Sequence, residues 1–353
     1  MKHKSNIIVL GDGGWGTALA ILLAKNGHDV TIWSNFPDYA KYMHTKRENT
    51  KFLPGAKIPD SIIITHNPQL TTHNLIVMAI PTQYARKTLS KIKSLPAPRL
   101  RQAGEIPIIS VAKGLEIETM KRPSEIIKEV LGTDKIGVLS GPSHAEEVAK
   151  GLPASVIIAS KDKALAQFAQ SLFMNSYFRP YTHTDMIGVE LGGALKNIIA
   201  IAAGICEGLK LGDNAKSALL TRGLVEIARL GKALGANPVT FFGLAGIGDL
   251  ITTCTSPFGR NRMVGIRLGK GETLKQILKS MEMVAEGVWT TKATAKLSKR
   301  LRIEMPITNE VHKILFSDKN PRRAVADLMQ RPAKSETEDL KWLLDKKSGS
   351  SNP

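Results

Sequence analysis

Short runs of β-branched and aliphatic residues recur through the first half of the chain, each bounded by glycine, proline or polar positions. Six of them read as buried strands: Asn6–Leu10, Asp29–Trp33, Leu75–Ala79, Ile106–Ser110, Ile136–Leu139 and Ala154–Ala159. Between the first two, Trp15–Asn26 is rich in alanine and leucine and stops at Gly27, a residue suited to the left-handed turn that ends a helix. Strand, helix and strand in that order make one βαβ unit, and its repetition predicts a parallel sheet covered by helices on both faces. Leu95–Glu105 carries two prolines, two arginines and a glycine without periodicity, so an exposed connection is expected there.

From about Gly188 strand alternation disappears. Leu219, Leu220, Leu224, Ile227, Ala228 and Leu230 recur at helical spacing instead, which predicts an all-helical second part. The pattern divides the chain into a sheet domain over 1–187, a helical domain over 188–334 and a polar tail over 335–353. The tail has room for one short helix at Asp339–Leu344 and is otherwise expected to fray.

Composition agrees with two globular domains, since 353 residues exceed one ordinary core and 42% are apolar. Cys206 and Cys254 have neither metal-ligand nor disulfide-framework spacing, and no His pair stands four apart. A reducing, cytoplasmic home and no metal site are expected. Met1–Asn6 is polar and basic, and the apolar run that follows is too short for a signal peptide. The longest small-apolar stretch, around Ile198–Cys206, lies between Lys196 and Glu207 and falls short of the roughly 20 residues of a membrane span. A buried helix is expected in its place. The net charge of +18 favours anionic ligands, while the scattered lysines and arginines, not interleaved with aromatics, speak against a nucleic-acid partner.

Gly11-Asp12-Gly13-Gly14-Trp15-Gly16 fits the spacing G-x-G-x-x-G, directly after the first strand and at the start of the first helix. That context reads as a dinucleotide site: Gly11 for a tight turn, Gly13 for backbone approach to a pyrophosphate, and Gly16 for close packing of helix on strand. The helix N-terminus adds N–H groups and a partial positive charge for the phosphates. The expected fold class is therefore α/β, an N-terminal Rossmann-type doubly wound sheet followed by an all-α C-terminal domain. The second strand ends Trp33-Ser34-Asn35-Phe36, with no carboxylate before Asp38 and no arginine before Arg47. NAD and NADP stay equally open at this stage, with Asn35 available to a ribose.

Four further segments follow in order: Ser110-Val111-Ala112-Lys113-Gly114-Leu115-Glu116; Ser140-Gly141-Pro142-Ser143-His144-Ala145; Gly192-Gly193-Ala194-Leu195-Lys196-Asn197; and Gly246-Ile247-Gly248-Asp249-Leu250 with Gly259-Arg260-Asn261-Arg262. With the fingerprint, they make the chain resemble the NAD(P)-dependent glycerol-3-phosphate dehydrogenase family from about Asn6 to about Val325. The resemblance implies that Lys196 exchanges the carbinol proton. It also implies a substrate set of Lys113, Gly141, Ser143, Lys196, Asn197, Asp249, Gly259, Arg260 and Asn261. The implied cofactor set is Gly11, Gly13, Gly14, Trp15, Gly16, Asn35, Lys113, Ala145, Arg260, Val284 and Glu286. Reversible hydride transfer between NAD(P)H and dihydroxyacetone phosphate, a homodimer and supply of glycerophospholipid synthesis are implied likewise.

The residue types suit those roles. An ammonium can protonate and stabilise a developing alkoxide, and a planar guanidinium can grip a phosphate with two bonds. A second cation at Lys113 would lower the pKa of Lys196. Gly192, Gly193, Ala200 and Ala203 share the helix face of Lys196, which predicts open space for a ligand beside it. Taken alone, Lys196 reads as a surface lysine, Lys113 equally as a solvated loop lysine or a ligand-binding one, Asp249 as a helix cap or Asx-turn and Arg260 as a surface charge. His144 has no acid placed for it by spacing and is assigned no catalysis. Two departures from the family stand out: Gly259, where serine is common and whose N–H is expected to face a phosphate, and Gly14, where a hydroxyl is common. Another two-domain 3-hydroxyacid-type dehydrogenase is the nearest alternative, and a nucleotide-sensing or nucleic-acid-binding protein without chemistry is the remote one.

Overall fold

The structure is a computed structural model that describes residues 4–67, 73–93, 106–336 and 340. The Leu95–Glu105 connection and all of the expected tail helix at Asp339–Leu344 except Leu340 lie outside those residues. The described residues include ten strands: β1 Asn6–Leu10, β2 Asp29–Trp33, β3 Glu48–Asn49, β4 Leu53–Lys57, β5 Ile63–Thr65, β6 Leu75–Met78, β7 Ile108–Ser110, β8 Ile136–Ser140, β9 Ala154–Ser160 and β10 Phe178–His183. Eight of them build one sheet in the order β10-β9-β8-β7-β6-β1-β2-β5, while β3 and β4 form a separate hairpin. Helices α1 Gly14–Lys25, α2 Pro37–Lys46, α3 Thr82–Lys93, α4 Pro123–Leu131, α5 Ala145–Ala149 and α6 Lys163–Phe173 connect the strands. Apolar clusters lie against both faces of the sheet, which is why the strands read as continuous hydrophobic runs.

The order runs outward from β1 to β2 and β5, then restarts on the other side of β1 with β6. The crevice outside the carboxyl ends of β1 and β6 is thus the switch point where sheets of this kind bind ligands. The sheet is not wholly parallel. β8 pairs antiparallel with β9, and β10 follows β9. Their connection holds only α5, whose 5 residues rise roughly 7 Å at 1.5 Å each and cannot carry the chain back along the sheet for a parallel return. Four strands were not expected from the pattern: β10 contains Pro180 and sits at an edge, β5 has 3 residues, and β3 and β4 form a hairpin that carries Pro54 and Gly55. β7 begins two residues later than expected because Pro107 has no N–H to donate, although its carbonyl still accepts from the Ile76 N–H.

The second part is helical throughout. It contains α7 Met186–Gly208, α8 Gly212–Ala233, a 3-10 turn at Pro238–Phe242, a π turn at Leu244–Gly248, α9 Asp249–Thr255, α10 Arg260–Gly269, α11 Leu274–Lys279, α12 Glu286–Leu301, α13 Pro306–Phe316 and α14 Pro321–Met329. The axis of the domain is α7, buried on all sides. Leu191, Leu195, Ile198, Ile199, Ile201 and Ile205 all lie in one core, each contributing about 1.5–3 kcal/mol of burial. Gly204 and Gly208 on α7 meet Gly265 and Gly269 on α10 so closely that an added Cβ at Gly208 would lie 3.0 Å from the Gly269 Cα. By length and composition alone α7 is apolar enough to cross a membrane, because the apolar stretch runs further than Ile198–Cys206, but its most apolar 18 residues are buried inside this protein.

Met186, Val189 and Ala245 pack on one face of the sheet, and Leu115 from the loop after β7 enters the helical core. Arg122 donates to Glu190 at 2.6 Å, tying α4 to α7. The start of α7 is therefore held against the carboxyl ends of β7 and β8.

Candidate active site

At the switch point Gly11 adopts φ +122°, and a Cβ there would stand 2.8 Å from the Ala79 carbonyl oxygen. A Cβ on Gly16 would reach 2.5 Å from Gly11 O and 3.0 Å from the Ala79 Cβ, so helix and strand touch at that position. Gly14 faces the Phe52 carbonyl, which leaves no room for the family's hydroxyl side chain. Gly13 differs: nothing lies within 4 Å of a Cβ built on it. No side chain caps the α1 N-terminus, so its N–H groups face that open space. The Trp15 Nε1, buried in the same wall, has no partner. Space, uncapped N–H groups and an unpaired donor fit the pyrophosphate region of a dinucleotide.

One continuous cleft extends from these glycines into the helical part. It is lined by Gly13, Gly14, Trp15 and Gly16, by the ends of β6 and β7 through Lys113, and by Ser143, His144 and Ala145. Lys196, Asn197, Asp249, Thr253, Gly259, Arg260, Asn261, Val284 and Glu286 close it on the helical side. Deep in the cleft Lys196 and Asp249 are 4% and 1% exposed. Lys196 Nζ donates to Asp249 Oδ1 and, at 2.6 Å, to Thr253 Oγ1. Lys113 Nζ donates to Asp249 Oδ2 at 2.8 Å and to the Gly141 carbonyl at 3.0 Å. One carboxylate thus bridges two ammoniums.

Burial drives the Lys196 ammonium down, Asp249 pulls it back up, and Lys113 lowers it again, leaving its pKa at about 7. Burial opposes the charge on Asp249, but the two lysines outweigh it and hold the carboxyl below its usual range. Like charge from Lys113 was the expected cause of a depressed lysine; desolvation is the larger one.

Toward the mouth, the α10 N-terminus has no side-chain cap. The Arg260 guanidinium is exposed beside it and donates to Val284 O at 3.2 Å, while Asn261 Oδ1 accepts the Gly287 N–H at 3.0 Å. Asn197 donates to Lys113 O at 3.1 Å, and Ser143 Oγ donates to Gly141 O at 2.9 Å. Glu286 accepts the Thr82 N–H at 2.8 Å; burial holds its carboxyl above the usual range.

The sheet half matches the family described as NAD-dependent glycerol-3-phosphate dehydrogenase N-terminus over residues 6–166, and the helical half its C-terminus over residues 185–326. The chain belongs to the NAD-dependent glycerol-3-phosphate dehydrogenase family. It is 51% identical over 340 residues to a glycerol-3-phosphate dehydrogenase (NAD(P)+) of Geobacillus thermodenitrificans, covering 95% of this chain and 97% of that one. A Bacillus mycoides protein of the same name is 49% identical over 345 residues, covering 96% of this chain and 100% of that one. The crystal structure of a glycerol-3-phosphate dehydrogenase from Coxiella burnetii superposes with a TM-score of 0.86 at 37% identity, over 93% of this chain and 99% of that one.

Three expected site residues of this glycerol-3-phosphate dehydrogenase family member stand apart from the cleft wall. Gly11 shapes the turn from behind. Gly141 takes φ +135° and acts on the cleft only through its carbonyl bond to Lys113. Asn35 lies exposed at the end of β2, where Lys91 Nζ donates to it at 3.2 Å. Two further expectations are corrected. The Gly259 N–H is taken by Ser256 O at 3.2 Å and does not face an anion. Gly192 and Gly193 leave no ligand space beside Lys196, because they admit the Ala245 backbone and the Ser140 and Lys113 side chains.

Sequence reading missed three residues. Thr253 lies one helical turn after Asp249 on α9, a spacing that places both on one face and is legible in retrospect. Asn49, 0% exposed, donates to Asp12 O at 2.8 Å and Thr17 Oγ1 at 2.7 Å, fixing the glycine-rich turn from the β3–β4 hairpin. Nothing in its local sequence signals this. The third, Asp12, is taken up below. Among the described residues no three His, Cys, Asp or Glu side chains gather as a metal site. His144 is kept below its usual pKa by burial and by the Lys196 ammonium.

Proposed function

We propose that this protein catalyses reversible hydride transfer between NAD(P)H and dihydroxyacetone phosphate, giving sn-glycerol 3-phosphate, and that it supplies glycerophospholipid synthesis in the cytoplasm. The observation that carries this reading is the buried Lys113–Asp249–Lys196 bridge, set between the glycine-rich turn and the uncapped α10 N-terminus. Bound reduced nicotinamide supplies the hydride to the carbonyl carbon. Lys196 gives its proton to the oxygen as negative charge develops there and is left as a neutral amine. Asp249 and Thr253 hold the amine in place, and Lys113 adds positive charge beside the oxyanion. Arg260, Asn261 and the α10 N-terminus take the phosphate. Gly13, Gly14, Trp15, Gly16, Ala145, Val284 and Glu286 take the dinucleotide, with Gly11 shaping the turn behind it.

The unpaired thiols Cys206 and Cys254 suit a reducing compartment. A homodimer is supported by the exposed large apolar side chains between Val239 and Met263, including Phe242 and Ile251. The division proposed at 187/188 falls in the first turn of α7, which begins at Met186.

Initial rates with NADH and NADPH on dihydroxyacetone phosphate test the reading directly. With a Lys196 pKa of about 7, kcat/KM for ketone reduction is expected to fall about tenfold per pH unit above that value, because the donor must be protonated. Oxidation of glycerol 3-phosphate needs the neutral amine and should rise through the same range. Parallel pH profiles in both directions would exclude a shared acid–base lysine.

Arg260 gives a second test. Lysine there keeps the charge without the planar fork, and alanine loses both. Catalytic efficiency on dihydroxyacetone phosphate should rank wild type, Arg260→Lys, Arg260→Ala, with a loss of about ten- to a hundred-fold for alanine. Dihydroxyacetone, lacking the phosphate, should lose much less. An equal loss on both ketones would assign Arg260 to the cofactor or to the fold.

A further inference from the structure

The end of β2 is where a sheet of this type places the acid that accepts the ribose hydroxyls of NAD, and here that strand ends Trp33-Ser34-Asn35 without one. The structure brings a carboxylate to the same corner from another direction. Asp12, the second residue of the glycine-rich turn, receives the Ser34 hydroxyl on Oδ2 at 2.5 Å. Ser34 is fully buried, and its Oγ accepts the Phe36 N–H at 3.1 Å and lies 3.2 Å from the Phe36 carbonyl oxygen, against 2.5 Å from Asp12. The Asp12 backbone is held as firmly, by Asn49 through the carbonyl at 2.8 Å. Oδ1 is not used in the Ser34 bond.

We propose that Asp12 selects NAD(H) over NADP(H), accepting the ribose 2′-hydroxyl and repelling a 2′-phosphate. The carboxylate comes from the turn and replaces the acid that β2 lacks. This inference rests on the dinucleotide site proposed above. Charge at the corner agrees with it. The Arg47 guanidinium, the first arginine after β2, is directed elsewhere, to the carbonyls of Pro59 and Ile62 and to Asp60. Lys91 points to Asn35 Oδ1; burial holds the Asp12 carboxyl above its usual range, while the Ser34 hydroxyl and then Lys51 favour its charged form. A 2′-phosphate at this corner would meet the Asp12 carboxylate, with Arg47 turned away from it.

The test compares kcat/KM for NADH and NADPH in the wild type, Asp12→Asn and Asp12→Ala. Wild type should prefer NADH by about ten- to a hundred-fold, as like charges a few ångströms apart near a protein surface require. Both variants should lose most of that ratio through a lower KM for NADPH, and Asp12→Asn keeps the shape and the hydrogen bond to Ser34. Binding of ADP and of adenosine 2′,5′-bisphosphate to the wild type, measured by calorimetry, gives the same answer without any variant: ADP should bind more tightly. Equal use of both cofactors by the wild type, or a ratio unchanged in both variants, would overturn the role of Asp12 while leaving the dinucleotide site intact. Absence of any nucleotide binding would sink the site and this inference together.

Discussion

Replacing Lys196 by methionine is expected to lower turnover of dihydroxyacetone phosphate by about three orders of magnitude while leaving nucleotide affinity unchanged. In the proposed mechanism the ammonium is the proton source at the reacting oxygen; it is enclosed with Asp249 and Thr253 and barely open to water, so bulk solvent cannot easily replace it. The fold should tolerate the change. Losing one partner of a buried ion pair typically costs about 3–5 kcal/mol because the other charge is stranded, but Asp249 keeps Lys113 at 2.8 Å. Methionine fills much of the lysine stem's space, and the melting temperature should stay within a few degrees. Lys196→Arg separates charge from proton transfer, since the guanidinium can hold Asp249 yet does not give up its proton near neutral pH. It should be nearly as slow as methionine. Steady-state rates of both variants, with calorimetric nucleotide binding as the control, check this; a rate within a few-fold of wild type in either would remove Lys196 from the chemistry.

Gly13→Val should abolish productive cofactor binding without unfolding the protein. A Cβ on Gly13 meets nothing within 4 Å, so the valine branches project into the space proposed for the pyrophosphate. They would displace phosphate oxygens from the α1 N–H groups. Forfeiting two charge-assisted bonds at about 1.5–3 kcal/mol each amounts to a weakening of Kd by at least about a hundred-fold. Gly16→Val is the contrasting variant. Its Cβ would press to 2.5 Å from Gly11 O and 3.0 Å from Ala79, and overpacking of that kind costs about 1–3 kcal/mol or more in stability. Thermal melts and calorimetry on both should therefore give opposite patterns: unchanged melting with lost binding for Gly13, and lowered melting for Gly16. Normal nucleotide affinity in Gly13→Val would refute the placement of the pyrophosphate.

What could be read along the chain was whatever depends on neighbours a few residues away. The strands β1, β2, β6, β8 and β9 are legible because burial on both faces demands unbroken apolar runs. The glycines at 11, 13 and 16 are legible because strand, turn and helix follow one another directly. The ordered motifs carried the family in the same way. Edge strands were not, since β5 and β10 need less apolar sequence, and the reversal at β9 depends on how far a 5-residue helix can carry the chain.

The chemistry of the site was decided only by the tertiary fold. Lys196 and Asp249 are 53 positions apart, and Lys113 and Asp249 136 apart. Nothing local says that one carboxylate will bridge both lysines. A lysine near neutrality requires dehydration of its ammonium, a property of what surrounds α7 and not of its spacing, so a residue that alone read as a surface lysine stands in the cleft with a pKa of about 7. The small residues beside it show the same limit, for the sequence says that Gly192 and Gly193 leave room, whereas only the packed structure says that the Ala245 backbone and Lys113 fill it. Cofactor choice follows that rule too. No acid ends β2, yet the turn after β1 folds across to place Asp12 on Ser34, because parallel pairing of β1 with β2 brings their carboxyl ends together.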